Sequence, residues 1–180
     1  MRIASILRKT AVLVLFCCVV SVQAASNGVL NVTGSIKSAT CYFDSVEGQD
    51  NKTYDWTLPQ VYTGNLDRAG KTSGRKKSSI FLGGVHCTNG YTPYITLHNG
   101  ATVSAQTGNL VNTLSDEADN VQIRLLMNDT PLDLRGSPRV GCAVIVNRQS
   151  QCDIEYEYYA TGAATSGKVK STIQFDISYD

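Results

Sequence analysis

From Val169 to the end of the chain, apolar and polar positions alternate without a break. Val169, Ile173, Phe175, Ile177 and Tyr179 share one side with the small Ser171. Lys170, Thr172, Gln174, Asp176, Ser178 and Asp180 share the other. A period of two predicts a β-strand with one buried face. Such a strand is unusual at a terminus, where chains fray unless something ties them down. Its apolar face marks this end of the chain as something to be bound.

The same period recurs upstream. Gly28 to Ile36 alternates, with Gly28, Leu30, Val32, Gly34 and Ile36 on one face and Val29, Asn31, Thr33 and Ser35 on the other. Ala39 to Phe43 continues as a strand and carries Cys41. Tyr54 to Leu58 reads as a short strand stopped by Pro59. Residues 64–79 hold Gly64, Gly70, Gly74 and several charges, which predicts a loop or a ragged edge. Ser79 to Cys87 alternates again through Ile80, Leu82 and Val85. Tyr94 to Leu97 and Gly108 to Leu114 add short strands, and Val121 to Met127 is the clearest of all. Asn128-Asp129-Thr130-Pro131 is a turn, with Leu132 to Leu134 pairing beyond it. Val140 to Val146 and Ile154 to Thr161 flank a turn over Asn147 to Gln151. No segment of useful length has a helical period. Many short strands separated by turn residues predict an all-β chain folded as a sandwich.

The first residues have a different character. Arg2, Arg8 and Lys9 precede an apolar run from Ala11 to Val22, broken only by Ser21. That run has the length of a signal-peptide core and is too short to span a bilayer as a helix. Val22-Gln23-Ala24 fits the small-x-small cleavage rule, which places the cut after Ala24. Leu15-Phe16-Cys17 is a poor lipidation site because Phe16 is too bulky before the cysteine. The expected mature chain is therefore residues 25–180, exported, with no transmembrane segment.

Export changes the meaning of the cysteines. Cys17 and Cys18 leave with the signal, and Cys41, Cys87, Cys142 and Cys152 remain. An even number in an exported chain reads as disulfides. Three pairings are open; Cys41–Cys87 with Cys142–Cys152 is favoured, because the second pair closes a short hairpin-like segment. In the chain-entropy model loops of this size contribute about 4 and about 3 kcal/mol.

Charge and motif content exclude several classes. Without Arg2, Arg8 and Lys9, the 16 basic and 15 acidic residues become 13 and 15. A slight acidic excess argues against a nucleic-acid partner. Arg75-Lys76-Lys77 is the densest basic run and reads as a solvated face. His86 adjoins Cys87, yet no C-x-x-C or H-x-x-x-H spacing accompanies it, so no metal site is expected. With His86 and His98 the only histidines, and with no nucleophile elbow or paired-carboxylate motif, no catalytic residue and no cofactor are expected. The tyrosines are scattered, which suits packing better than a ligand platform.

Here the residues resemble a known family, the pilin subunits of chaperone–usher (type 1-like) fimbriae of Gram-negative bacteria. Members carry a penultimate tyrosine and a glycine fourteenth from the C-terminus; Tyr179 and Gly167 stand at those positions. Tyr158-Tyr159-Ala160-Thr161 is similar to the family's approach to its last strand. Gly34-Ser35-Ile36 before Cys41, Ile80-x-Leu82 before Cys87, and Ala118-x-Asn120-Val121-x-Ile123-x-Leu125 resemble further family segments. There are departures. Pro59 and Gly84 stand where glycine and an aliphatic residue are common, Glu157 stands where arginine is frequent, and Cys142 with Cys152 is additional to the usual single disulfide.

The resemblance implies an incomplete immunoglobulin-like sandwich lacking its last strand, with residues 34–180 as the pilin domain. It implies an apolar groove beside the C-terminal strand, whose chaperone- and subunit-binding residues are Gly167, Val169, Ile173, Phe175, Ile177 and Tyr179. A periplasmic chaperone fills that groove, and at the outer-membrane usher the N-terminal extension of a neighbouring subunit replaces it. Residues 25–33 fit such a donor strand, with Ser26, Gly28, Leu30 and Val32 along it. Burial of Leu30 and Val32 contributes about 1.5–3 kcal/mol each. The implied role is a structural subunit of an adhesive fimbrium on the cell surface. The alternative is a minor adaptor or tip subunit acting as a ligand-binding sandwich.

Overall fold

The computed structural model describes residues 41–49 and 51–180. The expected signal, the strand at Gly28 to Ile36 and the donor residues Ser26, Gly28, Leu30 and Val32 lie outside the described residues.

Among the described residues, nine strands form two sheets. β1 (Tyr42–Phe43), β2 (Thr72–Gly83), β8 (Gln149–Ala160), β5 (Val121–Met127) and β4 (Leu110–Val111) lie side by side in that order, with β6 (Thr130–Pro131) hanging from β5. The second sheet has three strands in the order β7 (Arg139–Gly141), β3 (Pro93–Leu97), β9 (Phe175–Tyr179). Every pairing is antiparallel. Ile80 and Leu82 of β2, Leu125 of β5, and Ile154 and Tyr156 of β8 meet Ile95 and Leu97 of β3 in one core, against which Phe175 and Ile177 of β9 also pack. This is the all-β sandwich that the alternation predicts, and its sheets are consistent with an immunoglobulin-like arrangement.

Local chemistry fixes the corners. Asn128 and Asp129 both have positive φ, 49° and 63°, and join β5 to β6. Asn147 and Arg148, at 53° and 60°, close the hairpin before β8. Two consecutive left-handed residues turn the chain tightly enough for two-residue hairpins. The expected turns at residues 128–131 and 147–151 are accordingly shorter than the sequence suggests. Leu132 does bond back to Leu125, N–H to O at 2.9 Å, whereas Leu134 opens a 3₁₀ turn.

Three expectations are corrected. Residues 72–79 are strand rather than loop: β2 runs along β8 from Thr72 to Gly83, with a register shift between Ser73 and Lys76. Gly74 sits in that bulge at φ +70°, and the charges that suggested a loop are paired across the sheet. Tyr54 to Leu58 is extended, with alternate residues half-buried, but among the described residues no backbone hydrogen bond joins it to a strand. The C-terminal ladder covers only Phe175–Tyr179. Residues 168–172 keep the alternation but bond instead to residues 102, 112, 113 and 118, because the chain there leaves β3 for the loops around β4.

Cys41 bonds Cys87, and Cys142 bonds Cys152. The second bond sits where the chain changes sheets. Cys142 N–H still donates to Pro93 O of the smaller sheet at 2.8 Å, and the next residue, Ala143, donates to Gln151 O of the larger at 3.0 Å. The disulfide ties the two sheets together at that crossing.

Candidate functional site

Among the described residues, a groove of about 1880 Å³ runs along the C-terminal segment. Small-molecule pockets occupy about 300–1,000 Å³, and this space is larger than that. One wall is residues 167–179; Phe43 and the extended segment through Tyr54, Trp56 and Leu58 form the other side. Ile80, Leu82, Leu125 and Ile154 contribute the floor. At about 3.3 Å per residue, the C-terminal wall extends roughly 40 Å.

The wall is built by the alternation. Val169, Ile173, Phe175 and Ile177 are half-buried, while Lys170, Thr172, Gln174 and Asp176 are exposed. Core residues of the floor are far better covered: Ile80 is 2 % exposed and Leu82 1 %. The apolar face of the C-terminal segment is thus turned inward without being sealed. Among the described residues, β9 is the edge strand of its sheet at Phe175 to Ile177.

Each end of the wall is anchored. Gly167, at φ +151°, lies against the backbone of Glu117 and Ala118, where a side chain has no room. Next to it the Glu117 carboxylate accepts from Lys168 N–H at 2.6 Å. Asn112 acts as a clamp, its Nδ2 donating to Lys168 O at 3.0 Å and its Oδ1 accepting from Lys170 N–H at 3.0 Å. At the other end the Tyr179 hydroxyl donates to Cys41 O at 3.2 Å and accepts from Cys41 N–H at 3.1 Å. Both family marker residues therefore serve as fasteners of the groove wall.

Aromatic rings frame the middle. Phe43 meets Phe175 edge-on at 5.9 Å, Tyr54 lies 6.3 Å from Phe175, and Trp56 stacks on Tyr156 at 5.4 Å. Contacts of this kind add about 0.5–1.5 kcal/mol beyond area burial. Lys52 pairs with Asp44 and lies over the Tyr54 ring, and Lys76 Nζ donates to Thr57 O at 2.9 Å. Side-chain contacts hold the extended segment in place. Burial raises the Tyr54 phenol above its ordinary pKa. Sequence reasoning missed this aromatic side of the site; the alternation Tyr54, Trp56, Leu58 was the available signal.

Outside the groove, Arg75 and Lys77 of the basic run are paired with carboxylates. Arg75 Nε donates to Glu157 at 3.0 Å and its Nη1 to Asp129 at 2.6 Å, and Lys77 pairs with Asp153 at 2.5 Å. The hydrogen bond that Arg75 donates to Glu157 is the main cause that raises the Arg75 pKa. Glu157, 2 % exposed, is also gripped by Arg124 at 2.9 Å and 2.5 Å. Among the described residues no group of His, Cys, Asp and Glu is arranged to hold a metal ion, and no helix is long and apolar enough to cross a membrane.

No family model matches the chain. By sequence it is similar to the major fimbrial subunit SMF-1 of Stenotrophomonas maltophilia, 32% identical over 166 residues that cover 87% of this chain and 94% of that protein. It is also similar to the minor fimbrial subunit HifD of Haemophilus influenzae, 32% identical over 184 residues, 93% of this chain and 82% of that protein. By fold it is similar to a subunit in the structure of a chaperone–usher pilus, with TM-score 0.59 at 14% identity, covering 87% of this chain and 97% of the other.

Proposed function

The chain belongs to the fimbrial subunits, with the pilin fold of chaperone–usher pili, and from that premise we propose that it polymerises by donor-strand exchange. It is a structural subunit of an exported surface fimbria, not an enzyme, and its partners are neighbouring subunits.

The observation that carries the proposal is the half-covered apolar wall Ile173–Phe175–Ile177 along a groove of about 1880 Å³. Apolar side chains left partly covered along a groove suit an occupant that completes their burial. A strand laid there gains ladder hydrogen bonds from its backbone and burial from alternate side chains. The first occupant is a periplasmic chaperone's strand. At the usher it is exchanged for residues 25–33 of a neighbouring subunit, exposed by cleavage after Ala24. Leu30 and Val32 fill the groove, and Ser26 and Gly28 complete the strand. Gly167, Val169, Ile173, Phe175, Ile177 and Tyr179 form the surface that chaperone and donor recognise in turn.

Deleting residues 25–33 from every subunit tests this directly. Fibre growth is expected to stop while subunits still accumulate with the chaperone. Fibres of normal number and length from the truncated protein would rule out the donor assignment. The chain matches a major and a minor subunit at equal identity. The ratio of this chain to other subunits in purified fibres distinguishes a shaft from an adaptor role.

A further inference from the structure

Polar side chains line the groove beside apolar ones, and one of them lies among the inward-facing apolar residues of the C-terminal wall. Ser171 stands on the inward side of the C-terminal wall, between Val169 and Ile173, and lines the groove. Its hydroxyl oxygen is buried and, among the described residues, has no hydrogen-bond partner. Buried hydroxyls are rarely left unpaired, because water has been removed without replacement.

The backbone around it is fastened. Lys170 O accepts from Thr113 N–H at 2.8 Å and from Thr113 Oγ1 at 2.9 Å, and Thr172 O accepts from Thr102 Oγ1 at 2.6 Å. Lys170 N–H is held by Asn112 Oδ1 at 3.0 Å. With both neighbours bonded outward to the loops around β4, the Ser171 side chain stays on the groove side.

We propose that Ser171 fixes the register of the strand that enters the groove, by accepting or donating a hydrogen bond to residues 25–33 of a second copy of this chain. The inference rests on the donor-strand reading and deepens it. An apolar groove grips alternate side chains but tolerates a slip of two residues, which keeps the same face inward. A buried hydroxyl removes that tolerance when its partner is a side chain, since on the face of Leu30 and Val32 only Ser26 carries a hydrogen-bonding side chain. Residues 25–33 carry Ser26 on the face of Leu30 and Val32, and Asn31 and Thr33 on the other. Gly28 leaves room for a bridging water.

The test is a sign. A fluorescent synthetic peptide of residues 25–33 is titrated into the full-length protein, its Ser171→Ala variant and its Ser171→Thr variant. The Ser171→Ala change is expected to weaken binding roughly 3- to 10-fold, chiefly through faster release, and Ser171→Thr to retain the affinity. Equal or tighter binding by Ser171→Ala overturns the proposal, because a hydroxyl buried against apolar groups opposes binding. Peptide that binds all three proteins alike defeats this inference and leaves the groove reading standing. Peptide that binds none of them defeats the groove reading, and this inference with it.

Discussion

A methyl group on Gly167 would come within 2.6 Å of the Glu117 carbonyl carbon and closer still to the backbone nitrogen of Ala118. Backbone against backbone leaves nothing flexible to give way, and φ at +151° adds its own strain to any side chain. Gly167→Ala is therefore expected to cost about 2–4 kcal/mol and to free the start of the groove wall. Urea unfolding of the purified subunit checks the first effect and chaperone pull-down the second. Gly136→Ala, with open space around the glycine and no positive φ, serves as the near-neutral control.

Glu157 is a buried carboxylate between two arginines. Replacing it by Gln leaves Arg124, itself only 21% exposed, without its counter-charge. The expected loss is about 3 kcal/mol. Arg75→Ala is expected to cost less, since Arg75 is 40% exposed and Glu157 keeps Arg124. Thermal unfolding of the two variants should rank them in that order; the reverse order contradicts the assigned roles.

Acid should weaken the fold through Asp153. Burial pushes its carboxyl up, but hydrogen bonds from Gln151, Lys77 and Ser79 outweigh it and hold the pKa down at about 2. A depressed folded-state pKa gives stability that is present above the unfolded value and lost as pH falls through the folded one. The loss therefore develops between about pH 4, the unfolded carboxylate range, and about pH 2. Asp153→Asn should be less stable than the natural protein at pH 6 and should converge with it at pH 2. A gap that persists unchanged at pH 2 would show another cause.

Removing Cys142–Cys152 by a double Cys→Ala change is expected to lower stability by about 3 kcal/mol in the chain-entropy picture. The residues around Ala143 and Gln151 should then exchange their amide protons faster, while the centre of β2 stays protected. Hydrogen exchange by mass spectrometry separates this local effect from a uniform loss.

Trp56 is the protein's one tryptophan and stacks on Tyr156 beside the groove. Filling the groove with the peptide of residues 25–33 should exclude water from the indole and shift its emission to shorter wavelength. Saturating peptide with no spectral change would mean that it binds elsewhere.

The strands from Tyr94 to Leu97 and from Val121 to Met127 were legible because one buried face imposes a period of two. So were the cysteine partners, since Cys142 and Cys152 are ten residues apart. The strand at residues 72–79 was hidden for a physical reason. Arg75 and Lys77 find their counter-charges on β8, at Glu157 and Asp153, and a cross-strand pair is invisible within one strand's own sequence. Glu157 reads as a departure from the family's arginine until Arg75 and Arg124 are seen to close on it. The groove's aromatic side was hidden likewise. Tyr54 and Trp56 carry the alternation of a strand, but their partners are rings from distant segments, not a ladder. At the C-terminus the alternation was right about facing and silent about pairing, because sidedness is written locally and the identity of the neighbouring strand is not.

The disulfide at the sheet crossing has a mechanical consequence. Tension drawn along the chain from β7 into β8 passes through the Cys142–Cys152 bond and bypasses residues 143–151 altogether. Those residues can yield no hidden length under load. A pull that peels the two sheets apart at this corner meets a covalent link before it meets hydrogen bonds, so a filament of such units gives way first at other points.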